Sequence, residues 1–329
     1  MSGGKQLSFQ MLHNEMLVVD THSDVLMKLV SGERRLSEHS QLGHVDLPKL
    51  KSGGVKLLFF AAFIESEYKP ERAVKRTLQL IDVFYRELAD NQQNLMLVTN
   101  CTDLKQATKQ GKIGALLTVE GGEALGEDLG VLRMLYRLGV RGLGLTWNQR
   151  NALADGVSET ITGGGLTNFG RNVVEEMNRL GMLVDVSHLA EAGFWNVLET
   201  STKPVIASHS NCGALCQHLR NLSDQQLIAL AKLGGVVGVT FNPSFVHPEQ
   251  ATLERVLEHI EHIVKLTSVD HVCIGSDFDG IDKTPTDLED VSKLPGITLG
   301  LLKRGFSEVD IGKIMGQNVL RVLEQVMSV

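Results

Sequence analysis

Short apolar runs alternate with longer amphipathic stretches along nearly the whole chain. The runs fall at residues 16–20, 55–63, 113–119, 140–146, 182–186, 204–207, 235–241 and 272–275. Each is rich in Val, Ile or Leu and apolar at almost every position, as expected of a strand covered on both faces in a parallel sheet. Between them lie helical patterns at 72–89, 129–138, 168–180, 190–198, 223–233 and 253–266. In the first of these, Val74, Leu78, Ile81, Phe84, Tyr85 and Leu88 recur mostly at spacings of three and four, which places them along one helix face. Gly139, Gly181 and Gly234 each follow a helical stretch, where glycine ends a helix at little cost. Asn221-Leu222-Ser223-Asp224 offers a helix cap.

Strands alternating with helices predict a parallel sheet. Eight of them spread over residues 1–329 predict one TIM-like (β/α)8 barrel domain, with additional C-terminal helices at 288–304, 307–315 and 317–326. No G-x-G-x-x-G turn follows the first run, which counts against an open dinucleotide-binding sheet. Two connections are long. One holds a possible extra strand at 95–99, and the other carries Gly163-Gly164-Gly165.

The chemistry of such barrels sits where strands end. Five runs end in metal-ligating or acidic residues: Asp20-Thr21-His22-Ser23-Asp24, Glu120-Gly121-Gly122-Glu123, Asp185-Val186-Ser187-His188, Ser208-His209-Ser210-Asn211 and Ser276-Asp277-Phe278-Asp279. Alternation along a strand puts His22 and Asp24 on one face. With Glu120, His188 and His209 they form a set of imidazoles and carboxylates suited to Zn²⁺. Five such groups exceed the needs of one tetrahedral ion and fit two ions sharing a carboxylate, the arrangement of two-metal hydrolases. The other histidines read as ordinary: His259 and His262 on a polar helix face, His39 and His44 in a loop, and His13, His218, His247 and His271 singly.

Composition narrows the function further. Net charge is −7, which argues against a nucleic-acid partner. The N-terminal stretch lacks a long apolar core, the longest apolar stretch is far too short to span a bilayer, and the four cysteines are scattered. These features predict a cytoplasmic chain with reduced thiols and no membrane association. Cys273, within an apolar run, is expected in the core. No G-x-S-x-G elbow appears, so serine catalysis is not expected.

The stretches VVDTHSDVL, HVDLPKLKSGGV, LLTVEGGEAL, GMLVDVSHL, PVIASHSN with Arg220, IGSDFDG, and LEDVSKLPGITLGLLKRG through NVLRVLE span residues 16 to 326. Together they resemble the membrane dipeptidase (renal dipeptidase) family of zinc metallopeptidases, an amidohydrolase-like barrel. The resemblance implies hydrolysis of dipeptides by a hydroxide bridging two zinc ions, and a homodimer. It implies that His22 and Asp24 bind one zinc, that His188 and His209 bind the other, and that Glu120 bridges them. Asp277 would be the general acid/base. Arg220 would hold the free C-terminal carboxylate of the substrate, a task suited to a guanidinium fork.

One departure stands out. The family's renal members carry a histidine after the fourth strand that polarises the scissile carbonyl, and Trp147 stands at that place here. Asn148, Asn151 or the metal itself is left for that task, and Asn148 is taken as the substrate-binding candidate. The alternatives to a dipeptidase are an N-acyl-amino-acid deacylase or a lactonase on the same binuclear barrel, and, from another class, a metal-bound scaffold without turnover.

Overall fold

The computed structural model describes residues 3–327, with side chains for residues 9–327. Nine parallel strands make its sheet: β1 (Val18–Ser23), β2 (Val55–Phe63), β3 (Leu95–Leu97), β4 (Ile113–Glu120), β5 (Val140–Gly144), β6 (Leu183–Asp185), β7 (Ile206–Ala207), β8 (Val236–Val239) and β9 (Val272–Ile274). Eight of them close a ring in the order β1-β2-β4-β5-β6-β7-β8-β9 and back to β1. These eight are the eight apolar runs. β3 is the additional strand. It pairs with Ile113–Ala115 at the start of β4, on the edge whose later residues, Leu117–Glu120, take β5.

Both faces of each ring strand are buried, which is why the runs read as continuous rather than alternating. On β2, Leu57 and Phe59 face the barrel interior, where they meet Val19, Leu116, Leu183, Ile206, Val236 and Cys273 from other strands. Leu58, Phe60 and Ala62 face outward, onto the helical layer. The interior cluster is completed by Val319, Val322, Leu323 and Val326 of the last helix, Asn318–Val326. That helix therefore plugs the end of the barrel where strands begin. Gly316, just before it, lies so close to the Leu17 carbonyl that a Cβ there would stand 2.0 Å from its oxygen.

Helices Asn168–Leu180 and Leu253–Leu266 have the expected bounds, and Ala73–Asp90, Leu129–Arg137, Glu191–Thr200 and Asp224–Lys232 differ by one or two residues at their ends. Ser223 caps Asp224–Lys232 through a reciprocal capping box with Gln226. Gly139, Gly181 and Gly234 all adopt positive φ. At the C-terminus the expected helix at 288–304 is shorter: it runs Pro295–Lys303 after an isolated turn at Val291–Lys293. Pro295 starts it, because a proline suits a first helical turn and cannot continue an earlier one. The helices Gly3–Glu15, Val25–Leu29, Leu47–Ser52, Cys101–Lys109 and Pro243–Val246 were not anticipated. Cys273 is fully buried, and all four cysteines are free thiols. Among the described residues no helix is long and apolar enough to cross a membrane.

Candidate metal centre and active site

The polar strand ends converge where the strands finish, opposite the plugged end. His22 lies near the end of β1, and Asp24 follows it as the residue preceding helix Val25–Leu29. Glu120 is the last residue of β4. His188 comes three residues after β6, His209 two after β7 and Asp277 three after β9. All six are buried.

Glu120 occupies the middle. Its Oε2 lies 3.4 Å from His22 Nε2, while its Oε1 lies 2.8 Å from His188 Nε2 and 3.5 Å from His209 Nε2. Asp24 Oδ2 stands 3.3 Å from His22 Nε2, and Asp277 Oδ1 stands 4.0 Å from it. One oxygen of Glu120 thus faces His22 and Asp24, and the other faces His188 and His209.

Hydrogen bonds around the imidazoles decide what these atoms can do. The Ser208 hydroxyl donates to Asp185, so its oxygen accepts from His209 Nδ1–H, 2.8 Å away. His188 Nδ1–H donates to Asn148 Oδ1 at 2.7 Å. Both Nε2 atoms therefore carry lone pairs, yet they lie only 2.9 Å apart and face Glu120 Oε1. With these tautomers three acceptor atoms converge. Nearby, Asp24 Oδ1 is buried without a hydrogen-bond partner. Buried acceptors so arranged are stabilised by a cation. The donor set therefore fits divalent metal, and two buried clusters of side chains of metal-binding type share His22 here, His22-Glu120-His209 and His22-Asp24 with Asp277 beside them.

The electrostatics agree. Burial, with the nearby Arg220 charge, pushes His188 down to about 3, and burial with His22 and Arg220 holds His209 well below the usual imidazole range. Both are thus neutral and able to ligate. Burial also opposes the charge on His22, but Glu120 and Asp24 outweigh it and raise its pKa. Burial, reinforced by Asp24 and Glu120, raises the Asp277 carboxyl well above the ordinary carboxylate range. A buried carboxyl perturbed in this direction, facing a cavity, is a candidate for proton transfer.

A cavity of about 280 Å³ opens onto Glu120, His188 and Asp277, walled by Phe63, Trp147 and Phe245. A second cleft, of about 460 Å³, is also lined by His188 and holds Arg220. The Arg220 guanidinium is buried. One nitrogen donates to the His209 carbonyl at 3.0 Å, while its Nε has no partner. A larger cleft, about 650 Å³ along helix Ala73–Asp90, is lined by Arg72, Lys75, Arg76 and Arg86 and lies away from these residues.

The description "Membrane dipeptidase (Peptidase family M19)" matches residues 7–329. The chain belongs to the membrane dipeptidase family. The dipeptidase verJ from Clonostachys rogersoniana is 37% identical over 303 residues, covering 88% of this chain and 77% of that protein. A metallopeptidase from Rhodobacter sphaeroides, solved with a phosphinate mimic of L-Ala-D-Ala, superimposes with a TM-score of 0.88 at 29% identity, covering 94% of this chain and 99% of that one. The dipeptidase AC, a metallopeptidase of family M19, gives 0.88 at 30% identity, covering 95% and 99%. This member of the dipeptidase family is accordingly a metal-dependent hydrolase of dipeptides on a TIM-like barrel.

Some sequence readings change within this dipeptidase. Asn148 lines the cavity, and its carbonyl oxygen accepts from His188 Nδ1–H, which orients that imidazole. Asn151 is occupied in its own turn, bonding the Leu145 carbonyl and the Leu153 and Ala154 amides. His259 is not on a polar face. It is buried, accepting from the Cys212 amide and donating to the Val246 carbonyl. His13 is likewise buried, between Thr298 and the Gly53 carbonyl.

His44 also has a task. Its Nδ1 accepts from the Asp279 amide, and its own amide donates to Asp279 Oδ1. Arg34 pairs with the other oxygen of Asp279. Asp277 and Asp279 both sit at positive φ, 65° and 68°, a conformation costing a non-glycine residue about 1–2 kcal/mol. The clamp from Arg34 and His44 helps to hold that turn. Asp185, Ser208 and Asp20 were visible at strand ends but received no task. Asp20 accepts from the Ser276 hydroxyl and amide and from the His22 amide beneath the site.

Loss of the bond to a ligating imidazole commonly costs 10–100-fold in metal affinity. Asn148→Ala is therefore expected to weaken metal binding by about 10–100-fold, read as the free-metal concentration that restores half activity. Unchanged metal affinity would show that Asn148 does not orient His188.

Proposed function

We propose that this dipeptidase cleaves dipeptides bearing a free C-terminal carboxylate, using two divalent ions, Zn²⁺, held by the strand-end cluster. His22 and Asp24 would hold one ion and His188 and His209 the other, with Glu120 bridging. The observation that carries this reading is the division of Glu120, one carboxylate oxygen toward each group. When bound, such an ion pair supplies an acidified water and a Lewis acid for the scissile carbonyl.

The chain's own residues do the rest. His188 and His209, held neutral, present their lone pairs, and the bonds from Asn148 and through Ser208 to Asp185 fix their tautomers. Asp277 accepts the proton of the attacking water and returns it to the leaving amine. Arg220, lowered to about 10 by burial, remains charged at neutral pH and would hold the substrate carboxylate through its guanidinium. Fixing that carboxylate beside the cluster orients the peptide bond and restricts the enzyme to short peptides. Four free thiols support a cytoplasmic setting.

The direct test measures metal content and turnover together. Two ions per active chain are expected, with hydrolysis of L,L or L,D dipeptides lost on chelation and recovered with Zn²⁺. One ion per fully active chain would refute the bridging role of Glu120. Faster turnover of N-acyl amino acids or lactones than of any dipeptide would transfer the site to the alternative.

Arg220 gives a second test. Truncating one partner of a buried charge pair costs about 2–5 kcal/mol, so Arg220→Ala should lower kcat/KM for a dipeptide by about 30-fold or more. The same variant should show a much smaller loss on the corresponding dipeptide amide. Equal losses on both would mean that Arg220 supports the fold rather than the carboxylate.

A further inference from the structure

The cavity in front of Glu120 has an aromatic side that the proposed roles leave unused. Phe63 ends β2 directly beside Glu120, its partner in the β2–β4 register. Trp147 follows β5, three residues beyond its end. Their rings stand 5.3 Å apart, and Trp147 also lies 6.0 Å from the His188 ring. Both line the cavity.

Lys69 supports them. Its ammonium lies 5.2 Å from the Trp147 ring centre and 5.7 Å from that of Phe63. It is 3.2 Å from Glu123, and both side chains are more than nine-tenths buried. A cation placed over aromatic faces attracts them and fixes their orientation. Its charge is matched by Glu123, so this side of the site gains no net attraction for an acidic side chain. Nor does the neutral pair favour a basic one.

The position of Arg220 then assigns the two compartments. His188 borders both the cleft that holds Arg220 and the cavity walled by Phe63 and Trp147. With the carboxyl end of a dipeptide in the cleft and its peptide bond over Glu120, the amino-terminal residue enters the cavity. The geometry points to Phe63 and Trp147 as the wall that receives the side chain of that residue and selects an apolar one, with Lys69 as the positioning residue for the rings. This rests on the dipeptidase reading and on the carboxylate role of Arg220. It also gives Trp147 a role in specificity, at the place where the family's renal members carry a carbonyl-polarising histidine.

The test compares kcat/KM for Gly-Gly, Ala-Gly, Val-Gly, Leu-Gly, Asp-Gly and Lys-Gly with the metal-loaded native enzyme. Values are expected to rise from Gly to Leu, with Leu-Gly exceeding Asp-Gly and Lys-Gly by about tenfold or more, the scale of a few buried methylenes. In Trp147→Ala the ratio of Leu-Gly to Gly-Gly should fall by about tenfold, mainly through KM, and Trp147→Phe should restore part of it. A flat series in the native enzyme, a preference for Asp-Gly or Lys-Gly, or an unchanged ratio in Trp147→Ala would overturn the assignment. The native series decides the matter even if a variant does not fold. Absence of hydrolysis of every dipeptide would instead strike the dipeptidase reading itself, so the two failures are distinguishable.

Discussion

Asp277→Asn is expected to lower kcat by about 10²–10⁴-fold, the usual worth of a positioned general acid/base, with metal content preserved. The substitution is chosen for its backbone. Asp277 sits at φ 65°, and Asn is among the few residues that visit this region readily, so the turn should keep its shape. The Asp277 amide donates to the His22 carbonyl and the Gly280 amide donates to the Asp277 carbonyl; neither bond involves the carboxylate. What is lost is a carboxyl group whose proton affinity is raised by burial and by the charges of Asp24 and Glu120. An amide of the same size can neither accept the proton of water nor deliver one to an amine. The effect should therefore fall on kcat more than on KM. The measurement is steady-state kinetics on one dipeptide beside metal analysis of the same preparation. Retention of more than a tenth of native kcat at full metal content would remove Asp277 from proton transfer.

Glu120→Gln should be still more damaging, because one carboxylate faces both halves of the cluster. The amide must turn its NH₂ either to His22 or to the His188–His209 pair. On that side it donates to an imidazole lone pair that would otherwise be free for metal. Breaking a buried charge pair in this way costs about 3–5 kcal/mol, equivalent to about 150- to 5,000-fold in affinity for the ion on that side. The expected result is at most one tightly held ion per chain and turnover too low to measure. Calorimetric titration of the metal-free variant with Zn²⁺ would report the stoichiometry directly. Two ions bound with native affinity would mean that Glu120 is not shared.

Much of this site was legible because a parallel barrel imposes a simple rule on its sequence. Each buried strand is a short apolar run, and the polar residue that ends it stands on the catalytic rim. His22, Glu120, His188, His209 and Asp277 all followed from that rule as rim residues. Even β7, only two residues long, kept its place because Ser208-His209 ends its run. Arg220 did not follow from any run. It lies eleven residues beyond His209 in irregular chain, and only the family resemblance pointed to it. The clamp of Arg34 and His44 on Asp279 joins positions 235 residues and more apart, and no local pattern carries such a pairing. His259 was misjudged for a related reason. Its helix is amphipathic, but the loop around Cys212 covers the position where the polar ring sits and provides its partner. The shortened helix after residue 288 shows the converse: apolar spacing alone suggested a longer helix, and Pro295 marks where the regular helix begins.

The closure of the strand ring also bears on how this enzyme behaves when concentrated. Unpaired strand edges invite other chains to add to a sheet. Among the described residues the eight ring strands have neighbours on both sides, and β3 pairs on one side only, over three residues. So short an edge gives little template for intermolecular pairing. Aggregation should therefore track the opening of the barrel rather than the concentration of the folded enzyme.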